Sequence, residues 1–201
     1  MIHADQRFSD AVEAAVGQLE ERTDAEVVVV AAEHSGSYHD LAYASGAMAA
    51  FATFLALLAL PFPVHPLFAS ADLLGAFFVV SWLASGTPWL ARFAGDARCE
   101  AQVRRAASAE FHIEAVHATP RRTGLLVYVS GWEKRVELIP DVGLEAAIPR
   151  GEWAEAAKHF AHDDLDHFLQ GLEAVGKLLA DKVPHTGGQR VDLANAPRVR
   201  A

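Results

Sequence analysis

The chain has 201 residues and a formal net charge of -9, and 52% of its residues are hydrophobic. Disorder is excluded as its main state, because disordered chains contain few apolar residues. Nucleic-acid binding is excluded as a function, since so acidic a chain offers no basic surface for phosphates. The single cysteine, Cys99, excludes an intrachain disulfide. A mean hydropathy of +0.14 is high for a soluble domain, so the composition predicts a small membrane protein with one water-soluble domain.

The first segment predicts one helix followed by one strand. Apolar residues between Asp5 and Arg22 recur at the i, i+3, i+4, i+7 spacing of an amphipathic helix. The run Val27–Ala32 is continuously apolar and rich in valine, which is typical of a central strand covered on both faces. Two elements bury too little surface to fold alone, so this segment is expected to join later strands in one sheet.

Two long uncharged runs follow. Leu41–Ala71 contains no Asp, Glu, Lys or Arg, and a second such run, Leu73–Ala91, follows Asp72. About 20 helical residues cross the hydrocarbon core of a bilayer. The sequence therefore predicts two transmembrane helices within 41–90, separated by the proline-rich linker Pro61–Pro66, which breaks the helix. A buried helical pair in a soluble protein is the alternative.

The orientation of this hairpin follows from its flanking charges. No Lys or Arg lies between the spans, whereas Arg92, Arg98, Arg104 and Arg105 follow the second span. By the positive-inside rule, both ends of the hairpin and both soluble segments are expected in the cytoplasm. The first forty residues lack the pattern of a signal peptide, so the hairpin is expected to insert by itself.

The residues after the hairpin predict helices around one β-hairpin. The second arm of that β-hairpin alternates apolar and charged residues, which places it nearer the edge of a sheet. Asp163 or Asp164 is expected to cap the last helix. The predicted helices are Ala91–His117, Gly151–Phe160 and Leu165–Val183, and the predicted strands are Leu125–Ser130 and Lys134–Ile139.

Together these elements predict an α/β fold with a mixed β-sheet of about three to four strands flanked by helices, interrupted by a transmembrane helical hairpin. Residues 1–40 and 91–183 would form one split cytoplasmic domain, with the hairpin at 41–90. The crossover between the first two strands contains a helix, which favours parallel pairing of those strands. The remainder, 184–201, has little apolar periodicity and is expected to be a disordered tail.

Three stretches in this order resemble the TPM domain family, which is named for thylakoid lumen, photosystem-associated and worm receptor-accessory proteins. They are LEERTDAEVVVV (Leu19–Val30), TGLLVYVS (Thr123–Ser130) and RVELIPDVGLE (Arg135–Glu145). The likeness covers roughly residues 8–183. The chain is most similar to the bacterial membrane-bound branch, in which a two-helix insertion splits the domain and a Trp, here Trp153, follows the last strand. That resemblance implies a multi-pass protein of the inner membrane.

The resemblance implies two kinds of activity. Some soluble relatives bind calcium and have been proposed as acid phosphatases, while others act as accessory or assembly factors for membrane complexes. This chain departs from the soluble pattern at Arg122-Thr123, where those relatives often carry Asp-Asn. It departs again at Pro149-Arg150, where an acid usually follows.

Asp141 and Glu145 are the candidate metal ligands, because they lie just after a predicted strand and carboxylates can bind calcium or act as general acid and base. A solvated turn in which Gly143 takes a positive φ is the alternative. Calcium needs six to eight oxygen ligands, so two carboxylates predict at best weak binding.

A second candidate cluster contains ligand types for a transition metal such as zinc. The alternative is again a solvated turn, in which the aspartates cap a helix. The cluster consists of His159, His162, Asp163, Asp164, Asp166 and His167.

Three functional hypotheses follow. The first is a non-enzymatic interaction, assembly or accessory factor whose partner is another membrane protein or a second copy of the chain. The alternative is a metal-dependent phosphatase-like hydrolase that uses Asp141 and Glu145. A lipid-organising anchor is the third. No phosphate loop or dinucleotide fingerprint is present in the sequence.

Overall fold

The computed structural model describes residues 6–160, 164–187 and 193–200. The chain divides into two compact units: Met1–Ser35 together with Glu100–Ala201 form the first, and Gly36–Cys99 form the second. The elements in chain order are α1 (Gln6–Glu20), β1 (Glu26–Ala32), α2 (His39–Leu58), α3 (Pro66–Ser85), α4 (Leu90–Ala94), α5 (Asp96–Ile113), a 3-10 turn (Val116–Ala118), β2 (Gly124–Ser130), β3 (Arg135–Pro140), α6 (Val142–Ala147), α7 (Arg150–Lys158), α8 (Leu165–Lys182) and β4 (Arg198–Arg200).

Four strands of the first unit form one mixed sheet in the order β3-β2-β1-β4. β1 pairs in parallel with β2, from Glu26 opposite Gly124 to Ala32 opposite Ser130. β2 pairs antiparallel with β3, and β1 pairs in parallel with β4. The predicted fold class and the predicted pairing of the first strand with the second are confirmed. The apolar pair α2 and α3 lies between β1 and β2 in the chain.

The sheet separates two apolar cores, because successive strand residues point to opposite faces. One core packs Val27, Val29 and Val127 against residues of α1 and α8 such as Phe8 and Phe168. The other packs the intervening strand residues against α5, through side chains that include Val103 and Phe111. All residues of β1 and β2 are buried, whereas β3 is half-buried. β1 and β2 are therefore central strands and β3 is an edge strand, as the two sequence patterns predict.

The predicted single helix Ala91–His117 is wrong. Gly95 has a φ of 84° and separates α4 from α5, and Ala115 has a φ of 52° after α5. A positive φ is incompatible with a right-handed helix and is easiest for glycine. The helix therefore divides at Gly95 and ends before the 3-10 turn.

The predicted disordered tail over 184–201 is wrong for its last described residues. Arg198–Arg200 form β4 and pair with Val30–Ala32 of β1. Thr23 and Pro184 also form an isolated antiparallel bridge. A three-residue strand has too few positions to show an alternating pattern, which explains why the sequence analysis missed it.

In the second unit, α2 and α3 are each 20 residues long and apolar enough to cross a membrane, by length and composition alone. Their buried residues are small, namely Ala42 and Gly46 in α2 and Ser81 and Ala84 in α3. Small residues allow two helices to approach closely.

α3 begins at Pro66, earlier than the predicted Leu73, because His65 caps it. The Nδ1 atom of His65 accepts a hydrogen bond of 3.2 Å from the Leu67 amide.

Candidate functional site

Asp141 directly follows β3 and caps α6, a helix that the sequence analysis did not predict. Its Oδ1 accepts a 2.8 Å hydrogen bond from the amide of Val142. The Arg122 guanidinium binds both carboxylate oxygens, with Nε 2.6 Å from Oδ2 and Nη2 2.8 Å from Oδ1. The Asp141 side chain is only 2% exposed. The Asp141 carboxylate oxygens thus accept hydrogen bonds from the Arg122 guanidinium and from the first amide of α6.

Gly143 packs against the same loop. Its amide donates a 2.9 Å hydrogen bond to the Arg122 carbonyl. A Cβ at Gly143 would lie 2.5 Å from the Arg121 carbonyl oxygen and 2.6 Å from that of Arg122. The positive φ belongs to Arg122, at 57°, and not to Gly143. The alternative prediction that Gly143 takes a positive φ is therefore wrong, and its lack of a side chain serves close contact between two backbones.

Glu145, the second predicted ligand, is exposed on α6. Its amide donates to the Asp141 carbonyl at 2.9 Å, which is the first turn of the helix. The hydrogen bond to Asp141 raises the pKa of Arg122 above its ordinary value, so the guanidinium stays charged. Among the described residues, no group of three or more His, Cys, Asp or Glu side chains could hold a metal ion. Asp141 could act as a metal ligand only by giving up contacts with Arg122.

The histidine-rich cluster is described in part. His162 and Asp163 lie outside the described residues. His159 follows α7 and lines a groove between α7 and α8 together with Glu152 and Glu155. Asp164 occupies the N-cap position of α8, but its side chain makes no capping hydrogen bond.

The remaining members of the cluster are exposed. Asp164 Oδ2 lies 2.9 Å from His167 Nδ1, one helical turn away. Asp166 is also exposed. Exposed side chains at a helix start fit the solvated-turn alternative for this part of the cluster.

A buried polar network at the carboxyl ends of β1 and β2 was missed by the sequence analysis. Ser130 donates to Glu133, and the Ser35 amide donates to both Glu133 oxygens, at 3.2 and 3.1 Å. The Ser35 hydroxyl lies 2.6 Å from Ser130 Oγ and 3.0 Å from the Tyr128 hydroxyl. The network fixes the loop after β1 against the turn between β2 and β3. Its sequence signal is a serine ending an otherwise apolar strand.

This network is buried. Glu133 is 7% exposed and Ser130 is fully buried. Burial raises the pKa of the Tyr128 phenol, which therefore stays protonated and can donate to Ser35. His34 stacks on Trp132 beside the network at a centroid distance of 4.8 Å. Ligands of α/β sheets often bind at the carboxyl ends of the strands. Here the side-chain oxygens at those ends are hydrogen-bonded to one another.

The apolar helical pair presents large side chains outward. Exposed fractions reach 73% for Met48, 62% for Phe51 and 76% for Trp82. Monomeric soluble proteins rarely expose continuous apolar surface of this extent. Arg98 forms a 2.7 Å ion pair with Asp40 at the start of α2, within the same unit. This outward-facing surface is the strongest functional feature of the second unit.

The fold and these sites define a class of protein: a mixed α/β sheet domain whose first two strands are separated in the chain by an apolar helical pair. No protein-family model and no curated protein matches the chain. Among solved structures, the chain is similar to the NMR structure of the BA42 protein from the psychrophilic bacterium Bizionia argentinensis. The TM-score is 0.55 with 14% sequence identity, over 97% of this chain and 94% of that one. At this identity the likeness concerns the fold alone.

Proposed function

We propose that the chain is an integral membrane protein whose split α/β domain lies in the cytoplasm and serves as an interaction, assembly or accessory module for a membrane complex. Its partner is another membrane protein or a second copy. The exposed apolar surface of α2 and α3 carries this proposal. Exposing that surface to water is unfavourable by about 25 cal/mol of free energy for each Å². Contact with lipid removes this penalty, because lipid chains are themselves apolar.

The hairpin has the internal packing expected of a lipid-embedded helical pair. Large side chains face outward and small ones lie between the helices, the reverse of a soluble helical pair. Gly46 brings the α2 backbone against Phe77 and Ser81 of α3. Trp82 and Trp89, which are 76% and 55% exposed, lie in the last turn of α3 and just after it, which suits one membrane–water interface.

The cytoplasmic location rests on the arginines that follow α3, as the positive-inside rule requires. The resemblance to the membrane-bound TPM branch supports an inner-membrane protein with two spans and an accessory role. The position of Arg122 favours an interaction module over the phosphatase-like alternative. It stands where soluble relatives often carry an acid, and here it neutralises Asp141, the residue that a calcium-dependent phosphatase-like activity would need.

Membrane insertion is tested by alkaline extraction of membranes followed by reporter fusions. We expect the chain to stay in the pellet. Alkaline phosphatase fused within the Pro61–Pro66 linker should be active, and the same enzyme fused after Ala201 should be inactive. A soluble chain after extraction, or an active fusion after Ala201, contradicts the proposal. Cross-linking in native membranes, followed by identification of the products, tests the partner.

A further inference from the structure

The edge strand β4 is held mainly by charge. Arg198 Nε lies 2.8 Å from Glu114 Oε2, and Arg200 Nη2 lies 3.1 Å from Glu110 Oε2. Arg200 also pairs with Glu114. The valine between them, Val199, is 52% exposed and so contributes little apolar burial. Both arginines reach carboxylates at the C-terminal end of α5, on one face of the sheet.

The surface beneath β4 is built to receive such a segment. Glu110 lies in the last turn of α5 and Glu114 directly follows this helix, with the Glu114 amide donating a 2.9 Å hydrogen bond to the Glu110 carbonyl. Their side chains are only 15% and 14% exposed. Two carboxylates this close repel each other and are costly to bury without a cation. The backbone of β1 supplies the second half of the surface, since the Glu33 amide donates to the Arg200 carbonyl at 2.9 Å. Together these groups form a dibasic-strand receptor, made of the β1 edge from Val30 to Glu33 and the two carboxylates.

The receptor has a defined end. Further back along β1, the Val27 amide donates at 2.8 Å to Glu20 Oε1, a side chain from α1. Glu20 thus occupies the edge position that a longer added strand would need. The geometry limits the occupant to a short extended segment with arginines at i and i+2, which place both side chains on the α5 face.

The present occupant is replaceable. β4 pairs with β1 over three residues, in the parallel arrangement that is the less stable one per residue. Its ion pairs are partly exposed, with Arg200 at 39%, so salt and competing charges weaken them. Edge strands commonly accept extended segments of other chains in place of their own.

We infer that the dibasic-strand receptor is the docking site for an extended Arg-x-Arg segment of a partner protein, and that β4 occupies it in cis until the partner displaces it. The inference rests on the proposed function and deepens it by stating the chemistry of the partner. β4 itself shows the complementarity: two guanidinium groups for two carboxylates, and a backbone that completes the sheet. The cis occupant makes the free domain a weak binder, because a partner must first compete with it.

The test uses the full-length chain in detergent and a labelled peptide with the sequence of residues 193–201, LANAPRVRA. The double variant R198A/R200A weakens the cis occupant without shortening the chain. We expect this variant to bind the peptide at least about tenfold more tightly than the wild-type chain does. R198K/R200K keeps the charges but loses the guanidinium fork, and should bind the peptide with intermediate affinity.

Matched controls locate the binding. Adding E110Q/E114Q to the double variant should abolish binding, whereas adding E100Q, an exposed carboxylate on the same helix, should not. A peptide with both arginines replaced by alanine should not bind. Thermal unfolding of each variant checks that the domain is folded.

Equal peptide affinity of wild type and R198A/R200A, or equal binding of the alanine peptide, overturns the inference. So does a dimer formed by exchange of β4 in a chain that keeps Arg198 and Arg200, because the occupant would then be a second copy. Cross-linking of A31C to V199C between copies, in a C99S background, detects such a dimer. The peptide assay is independent of membrane extraction, so its failure is distinguishable from failure of the proposed membrane role.

Discussion

Arg122 donates two hydrogen bonds to Asp141, one to each carboxylate oxygen, at 2.6 and 2.8 Å. Asp141 lies in the turn that joins β3 to α6. The pair joins the loop before β2 to the loop after β3. One partner is half exposed and the other is buried, at 50% and 2%. The carboxylate that the sequence marks as a candidate ligand therefore has a structural role.

The first prediction concerns this pair. Asp141→Ala should lower the free energy of unfolding by about 1–3 kcal/mol, because it removes a helix cap and leaves Arg122 without its partner. The exposure of Arg122 keeps the loss below that of a fully buried pair. Glu145→Gln, a change at an exposed site, should shift stability by less than about 0.5 kcal/mol. Denaturant unfolding in detergent measures both.

Conservative variants at the same two residues, Asp141→Asn and Glu145→Gln, test metal binding. Calorimetric titration with calcium, manganese and zinc should give at best weak binding, and hydrolysis of a generic phosphomonoester should be absent. Micromolar affinity lost in both Asp141→Asn and Glu145→Gln, together with metal-dependent hydrolysis lost in the same variants, would promote the phosphatase-like alternative. Binding of zinc alone would direct attention to His159 and His167.

The second prediction concerns the helical pair. Gly46→Ala should destabilise the packing of α2 on α3 by roughly 1–3 kcal/mol, because the new Cβ would lie 2.6 Å from the Phe77 carbonyl oxygen and closer still to Ser81 Oγ. Gly75→Ala is the matched control in the same pair, since nothing lies within 4 Å of its Cβ position. Thermal unfolding in detergent compares the two variants. Equal melting temperatures would show that the helices do not pack through Gly46.

The third prediction concerns the split sheet. Val29→Asp should lower the free energy of unfolding by roughly 3 kcal/mol or more, because a carboxylate would be buried in the core beside Val127. Amide exchange should then lose protection over Leu126–Val129, although these residues lie almost a hundred positions later in the chain. Val142→Asp is the control, at a site that is 56% exposed. Persisting protection in Val29→Asp would mean that β2 is stable without β1.

The fourth prediction is a pH dependence centred on Asp24. Burial alone would raise the pKa of this carboxyl, but hydrogen bonds from Thr186 and the charge of Arg121 outweigh burial and lower the pKa below its ordinary 3.8. A lowered folded pKa means that the carboxylate stabilises the fold above the unfolded pKa. That contribution is lost as the pH falls through the folded value.

Unfolding measured between pH 6 and pH 2.5, roughly spanning this range, should thus show stability falling on acidification. Asp24→Asn should flatten part of this fall, because its neutral side chain has no proton to take up. The hydrogen bond from Arg22 lowers the pKa of Glu173. Glu173 therefore contributes its own loss of stability on acidification, which Asp24→Asn does not remove. A slope unchanged by Asp24→Asn would contradict the assignment.

The sequence by itself determined the elements whose residue pattern lies within one stretch of the chain. The valine run of β1 fixes a central strand, since only a strand covered on both faces buries four consecutive valines. The two uncharged runs likewise determine a pair of long apolar helices. The amphipathic pattern predicts a last helix over Leu165–Val183, and α8 spans Leu165–Lys182. These features repeat within one element, so neighbouring residues are sufficient to reveal them.

Only the tertiary structure decided which charged side chains meet. Arg122 and Asp141 are 19 positions apart and come together through the pairing of β2 with β3. Arg198 reaches Glu114 across 84 positions, through a strand too short to have a period. Asp141 could be singled out from the sequence as a carboxylate after a strand, but its partner could not. Ion pairing depends on which distant segments the sheet brings together, and no local pattern records that choice.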